Sequence, residues 1–337
     1  MCGKVLLETK GLTVGYGKDI AVLSGLDITL NAGELVCIIG ANGSGKSTLL
    51  RTLADVQKPL VGEVLLGGVS INEMRPRHIA KEIGLVFTES TNAGGLTVTE
   101  LVSLGRYPHT GFFGRLNVED KRIVSEAIKS VGVAHKSESY VAELSDGERQ
   151  KVMIAKALAQ QTPLILLDEP TAFLDIASKI ETMRLLHELA REQGKGVIVS
   201  SHDISQALLL SDRLWIVTAD GELIQGGTED LILSGMLNNV FKGDSIRFDQ
   251  VGGNFVSSVT YSKSVSLSGT NDELIHWCKN ALQRNGINTI TEKTDIQVEI
   301  ENPYSILLKN RDGVIISSHR TIADMISELT VTLSICD

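Results

Sequence analysis

No stretch of this 337-residue chain approaches 18 consecutive apolar residues, so nothing in it reads as a membrane-spanning helix. The N-terminus, MCGKVLLETKGL, lacks the long apolar core and small-residue cleavage site of a secretory signal, and no lipoprotein signal precedes Cys2. Cysteine is sparse. Cys2, Cys37, Cys278 and Cys336 are scattered with no CxxC pair, which points to free thiols in a reducing cytosol. His276 and Cys278 stand two apart with no third ligand nearby, which argues against a metal site there. An excess of basic residues is also missing. A net charge of −9 and a pI near 5.4 disfavour nucleic acid as a partner. Internal repeats and low-complexity linkers are absent. What is present is 42% hydrophobic and 22% charged, enough to fill a core in one large or two ordinary domains.

The segment Gly40-Ala41-Asn42-Gly43-Ser44-Gly45-Lys46-Ser47 fits G-x-x-x-x-G-K-[ST]. The apolar, β-branched run Leu35–Ile39 before it reads as a buried strand, and Ser47–Leu53 after it has helical spacing. Glycines in such a loop let backbone N–H groups turn inward on phosphate oxygens, and the new helix adds its positive end. The candidate nucleotide contacts are therefore Gly40, Asn42, Gly43, Ser44, Gly45, Lys46, Ser47 and Thr48. Lys46 is expected on the β- and γ-phosphates of ATP, and Ser47 on Mg2+.

Two further patterns carry chemistry. Leu164–Leu167 reads as an apolar strand ending in Asp168-Glu169. Asp168 is placed to hold Mg2+, and Glu169 to accept a proton from an attacking water. Upstream, Leu144-Ser145-Asp146-Gly147-Glu148-Arg149-Gln150 opens an amphipathic helix, Lys151 to Ala159. A hydroxyl and a free N–H at a helix start form a second anion site. Two such sites serve one nucleotide if Ser145, Gly147 and Glu148 of one copy close on the γ-phosphate held by another.

With these motifs in this order, residues 4 to about 240 resemble the ATP-binding subunits of ABC transporters. The resemblance implies an α/β P-loop NTPase core with an antiparallel β subdomain and a helical subdomain, an ATP-sandwich homodimer, and ATP hydrolysis. It makes LSDGE a variant of the LSGGQ signature and Pro170–Asp175 the D-loop. It assigns His202 as the switch histidine and Tyr16 as the aromatic that stacks on adenine. The family's glutamine after the strand Ile83–Phe87 is missing. Thr88 aligns best with it, with Glu89 adjacent, and either offers an oxygen to Mg2+ or water.

Gly95 to His109 corresponds to the permease-facing region. Its Gly-Arg-Tyr-Pro-His, with LSDGERQ and EPTAFLD, is similar to ATPases serving importers of iron–siderophore, haem or vitamin B12. That implies a polytopic permease, a periplasmic or surface substrate-binding protein acting through it, and a peripheral place on the cytoplasmic face of the membrane. An exporter or lipid-transport ATPase shares the same catalytic motifs and is the alternative. The expected division is an ATP-binding domain over 1–242 and a small α+β domain over 243–337. In the latter, Asp272 to Arg284 and Thr321 to Leu329 read as helices, and Val265–Leu267, Ile296–Ile300, Tyr304–Leu308 and Val314–Ser317 as strands.

Overall fold

The computed structural model describes residues 3–17, 19–87, 95–111, 113–172, 174–241, 246–257, 261 and 263–335. Contacts divide the chain into two compact units, Met1–Lys242 with Phe248–Asn254, and Gly243–Arg247 with Phe255–Asp337.

The centre of the first unit is a six-stranded sheet. In spatial order its strands are Leu223–Gly227, Arg213–Val217, Leu35–Gly40, Gly196–Ser200, Leu164–Asp168 and Ile83–Val86. All neighbours run parallel except the first pair. Both faces are covered, which is why these strands read as unbroken apolar runs. Strand alternation then sends consecutive side chains into two different cores. Ile165, Leu167, Val197 and Val199 pack with the helices Val98–Ser103, Val118–Ser130 and Asp146–Ala159. Leu164, Leu166, Ile198, Val36 and Ile38 pack with the helix Lys46–Leu53 and an antiparallel sheet.

That antiparallel sheet is built on one long strand, Val5–Tyr16, flanked by Ile20–Leu26 and Val61–Leu66. Between Ile20–Leu26 and Thr29–Asn31 the chain does not run on as one strand. Gly25 has φ +66°, and the Asp27 carboxylate accepts the Gly11 N–H at 2.7 Å, so the chain turns before resuming as Thr29–Asn31.

In the second unit the sheet order is Ile287–Ile290, Lys263–Gly269, Ile296–Asn302, Ser305–Asn310, Ile315–His319. The first three strands are parallel and the last three antiparallel. Helices Asp272–Arg284 and Ile322–Ile335 supply Cys278, Leu282, Met325 and Leu329 to a core shared with Val265, Val298, Ile300, Ile306 and Leu308. Ile287–Ile290 escaped the sequence pattern because four residues with polar Asn288 and Thr289 give no alternation to read.

Candidate active site

The loop after Leu35–Gly40 is shaped by contacts that exclude side chains. A Cβ on Gly40 would lie 2.7 Å from the Val217 carbonyl oxygen, and one on Gly45 would lie 2.4 Å from Val22 Cγ1. Gly43 and Gly45 have φ of +78° and +104°, the left-handed region that glycine enters without strain. Gly45 is the N-cap of Lys46–Leu53, whose first turn carries no acid to offset its positive end. Lys46 is buried, and its Nζ donates to the carbonyls of Gly40 at 2.9 Å and Ala41 at 3.0 Å. Burial pushes its pKa below the ordinary lysine value, with Glu169 and Asp168 pulling the other way. The buried Ser44 hydroxyl has no hydrogen-bond partner among the described residues. A buried hydroxyl without a protein partner, in a glycine-rich loop that ends at a helix N-terminus, fits an anion.

The loop opens on a cleft of about 380 Å3, lined by Tyr16, Val22, Asn42, Gly43, Gly45, Lys46, Ser47, Thr48 and Glu169. Tyr16 stands at its rim, and its hydroxyl hydrogen-bonds Thr48 Oγ1 at 2.7 Å. Asp168 is buried and Glu169 half-buried. Glu169 has φ +47°, unusual for a side chain of this size, and it brings His202 Nδ1 to 3.6 Å from Glu169 Oε2.

The fully buried Ser200 organises this pair. Its hydroxyl donates to Asp168 Oδ1 at 2.6 Å and accepts the Glu169 N–H at 2.9 Å. Sequence reasoning missed it. The available signal was a hydroxyl closing an apolar strand, in register with Asp168 on the neighbouring strand.

Residues 23–172 match the family model described as ABC transporter, and residues 262–330 match the Iron ABC transporter C-terminal domain. An ABC transporter ATP-binding protein of Methanocaldococcus jannaschii is 41% identical over 74% of this chain and 86% of its own length. The iron(3+)-hydroxamate import ATP-binding protein FhuC of Bacillus subtilis is 40% identical over 71% of this chain and 88% of its own. The chain belongs to the ATP-binding proteins of ABC transporters. Among solved structures, an inward-facing metal-chelate-type ABC transporter superposes with a TM-score of 0.63 at 26% identity, over 75% of this chain and 96% of that one. A dimeric ATP-binding cassette bound to ADP and phosphate after hydrolysis superposes with 0.59 at 31%, over 66% and 99%. The protein is an ATPase.

In this ATPase the signature residues line no part of the cleft within one copy. Ser145 is the N-cap of Asp146–Ala159 and forms a reciprocal box with Glu148. The Glu148 N–H donates to Ser145 Oγ at 3.2 Å, and the Ser145 N–H donates to Glu148 Oε2 at 3.0 Å. The Ser145 amide, joined by Lys136 at 3.6 Å, holds the Glu148 carboxyl below its usual range. A Cβ on Gly147 would meet Leu174 at 3.3 Å. Thr88 and Glu89 lie outside the described residues.

The Gly-Arg-Tyr-Pro-His segment forms a tight turn, Leu104–His109, after the capped helix Val98–Ser103. Gly105 is needed for clearance, since a Cβ there would sit 2.2 Å from the Lys156 carbonyl oxygen. Arg106 is buried. It pairs with Asp120 at 2.9 Å and donates to the Ala159 carbonyl at 2.8 Å and Gln161 Oε1 at 3.0 Å. His109 Nε2 lies 2.9 Å from the Gln160 carbonyl oxygen, and Arg77 Nε donates to the Pro108 carbonyl at 3.0 Å. Leu104 and Tyr107 are left outward, the latter 72% exposed. Gln160 also escaped sequence reasoning. Its Nε2 ties the end of the signature helix to the carbonyls of Ala80 at 2.6 Å and Ile83 at 2.9 Å.

Proposed function

We propose that this ATPase powers import of an iron chelate, a siderophore or haem, or of cobalamin, through a separate polytopic permease. The observation that carries the reading is the match of residues 262–330 to an iron-transporter C-terminal domain, on a chain that also matches an iron(3+)-hydroxamate import ATPase. In this reading residues 1–242 form the ATP-binding domain and 243–337 an accessory domain. The protein works at the cytoplasmic face of the membrane, and a periplasmic or surface protein delivers the cargo. No helix of the described residues is long and apolar enough to cross a membrane.

Two copies sandwich two ATP molecules. In each site Gly40, Asn42, Gly43, Ser44, Gly45 and Thr48 surround the phosphates with Lys46, and Tyr16 carries the adenine. Ser145, Gly147 and Glu148 come from the other copy. Glu169 takes the proton of a water that attacks the γ-phosphorus, and the bond to the β,γ-bridging oxygen breaks to leave ADP and phosphate. The φ of +47° at Glu169 aims its carboxylate into the cleft, and His202 beside it donates toward the γ-phosphate. Ser47, Asp168 and Thr88 are the candidate Mg2+ ligands. Among the described residues no three acids, histidines or cysteines cluster, and so sparse a donor set suits a cation that keeps phosphate and water as its other ligands. Bound there, Mg2+ neutralises charge on the phosphate oxygens.

The test is affinity capture of the Glu169→Gln protein from solubilised native membranes, with mass spectrometry of what it retains. A polytopic permease of the siderophore or cobalamin type is the expected companion. Exporter-type or lipid-transport membrane subunits would overturn the import reading. In the same variant ATP binding persists while hydrolysis falls at least about a hundredfold; normal turnover would remove Glu169 as the base.

A further inference from the structure

The sheet of the C-terminal unit ends on Ile315–His319. That strand pairs with Ser305–Asn310 on one side and, among the described residues, with no strand on the other. Its two isoleucines, Ile315 and Ile316, are 56% and 46% exposed, and Val314 just before it is 62% exposed. The opposite edge, Ile287–Ile290, is half-buried or buried throughout and packs against the helix Asp272–Arg284. An open edge presents unpaired N–H and C=O groups, and soluble proteins blunt such edges with lysine, proline, inward charge or a β-bulge; the strand Ile315–His319 carries a bulge at Ile316, where Leu308 pairs with Ser317 and Lys309 with Ile315. From Val314 to His319 the sequence Val-Ile-Ile-Ser-Ser-His holds no Lys, Arg, Asp, Glu or Pro. In a chain of net charge −9, this neutral strip is a place where two copies meet without like-charge repulsion.

We infer that this edge is a self-pairing surface: Ile315–His319 of two copies join antiparallel about a two-fold axis at Ile316, making one sheet with five strands from each copy. A two-fold axis requires the antiparallel arrangement, because the same patch must serve both partners. The register follows from charge. The neutral strip is bracketed by exposed Asp312 and exposed Arg320. With Ile316 opposite Ile316, Asp312 of each copy stands opposite Arg320 of the other, Val314 opposite Ser318, and Ile315 opposite Ser317. A shift of the centre to Ser317 sets Asp312 against Ile322 and loses both ion pairs. So short a ribbon buries far less than the roughly 1,200 Å2 of a stable interface, so it closes only when the copies are already held together. The inference therefore rests on the ATP-sandwich dimer of the proposed function.

The experiment uses the full-length Glu169→Gln protein with Cys2→Ser and Cys336→Ser, so that Cys37 and Cys278, both buried, are the remaining native thiols. Ile316→Cys is loaded with ATP, oxidised mildly and run on a non-reducing gel, with sedimentation before oxidation to score the dimer separately. A disulfide needs Cα atoms within about 7 Å, which the inferred register provides at position 316. Ser318→Cys serves as the register control. Its two copies would stand four residues apart along the strands, about 13 Å, and should not join. Asp312→Arg should cut the Ile316→Cys cross-link several-fold, and adding Arg320→Asp should restore it. The expected result is a cross-linked dimer from Ile316→Cys alone. An ATP-dependent dimer in sedimentation with no cross-link at 316, or a Ser318→Cys cross-link of equal yield, overturns the pairing. Absence of the dimer and of the cross-link overturns both readings, and sedimentation tells the two failures apart.

Discussion

The hydroxyl of Ser200 donates to the carboxylate of Asp168 at 2.6 Å, and on its other side it takes the backbone N–H of Glu169 at 2.9 Å. One side chain thereby fixes the orientation of one acid and the left-handed backbone of the next. Ser200→Ala should lower the ATPase kcat by about tenfold to a hundredfold, the loss expected from roughly 1.5–3 kcal/mol in a hydrogen bond to a charged group. Its ATP affinity should stay within about threefold, because the phosphate loop is untouched. Steady-state kinetics alongside equilibrium binding check both; an equal fall in affinity and rate would place Ser200 in nucleotide binding instead.

Lys46 gives a proton-linked signature. Burial holds its pKa below the ordinary value of 10.5, against the pull of Glu169 and Asp168. The free folded protein therefore holds fewer protons at this site than the unfolded chain, and its stability rises with pH between the two pKa values. Phosphate oxygens favour the ammonium, so ATP binding should take up protons at alkaline pH. Calorimetry in two buffers of different ionisation enthalpy should show the uptake, and Lys46→Ala should abolish it.

The Arg106–Asp120 pair is buried on both sides, at 6% side-chain exposure each. Burial alone would raise Asp120, but the Asn117 N–H and the Arg106 guanidinium override it and hold the carboxyl below its usual range. A depressed acid contributes stability that is complete above the ordinary value near 3.8 and is lost as pH falls through the folded-state value. Asp120→Asn should cost about 3–5 kcal/mol at neutral pH, because Arg106 is left buried without its counter-charge. The apolar double variant Arg106→Met/Asp120→Leu should recover most of it. Urea denaturation at pH 7 measures both variants, and repeating it on the parent protein at pH values below 3.8 follows the loss.

Glu148 places a carboxylate on the amide of Ser145 and on its hydroxyl, the group proposed with the Gly147 N–H to meet the other copy's γ-phosphate. Glu148→Gln keeps the cap and removes the charge. ATP-driven dimerisation of the Glu169→Gln protein should then saturate at several-fold lower ATP, read by sedimentation. Unchanged saturation would mean the carboxylate swings clear before the copies meet.

The sequence showed best where local rules and tertiary demand agree. Leu35–Ile39 and Leu164–Leu167 were legible as strands because burial on both faces removes every polar residue. Asp272 to Arg284 was legible because an Asn271 cap and Asn285-Gly286 at its end punctuate a periodic run. The phosphate loop and the two acids sit close together in sequence, so their grouping was visible. Ser200 and Gln160 act across strands and helices distant in the chain, and no spacing rule encodes such contacts. The Gly-Arg-Tyr-Pro-His segment was legible as a motif but not as a construction. Nothing in five letters says that Arg106 turns inward while Tyr107 turns out.

That construction has a mechanical meaning. Gly105 abuts the signature helix, Arg106 is bonded to its last turn, His109 to the residue beyond it, and Pro108 to Arg77. A strip anchored at so many points has little slack to lose, so whatever settles on Tyr107 does so without first having to order it. By the same token the strip is stiff. On the import reading proposed above, a thrust at Tyr107 would reach the helix Asp146–Ala159 through these bonds, and Ser145 caps that helix at its other end. A swap at Gly105 or Arg106 that left the fold standing would put a soft spring between the two ends, and the stroke would arrive late or short.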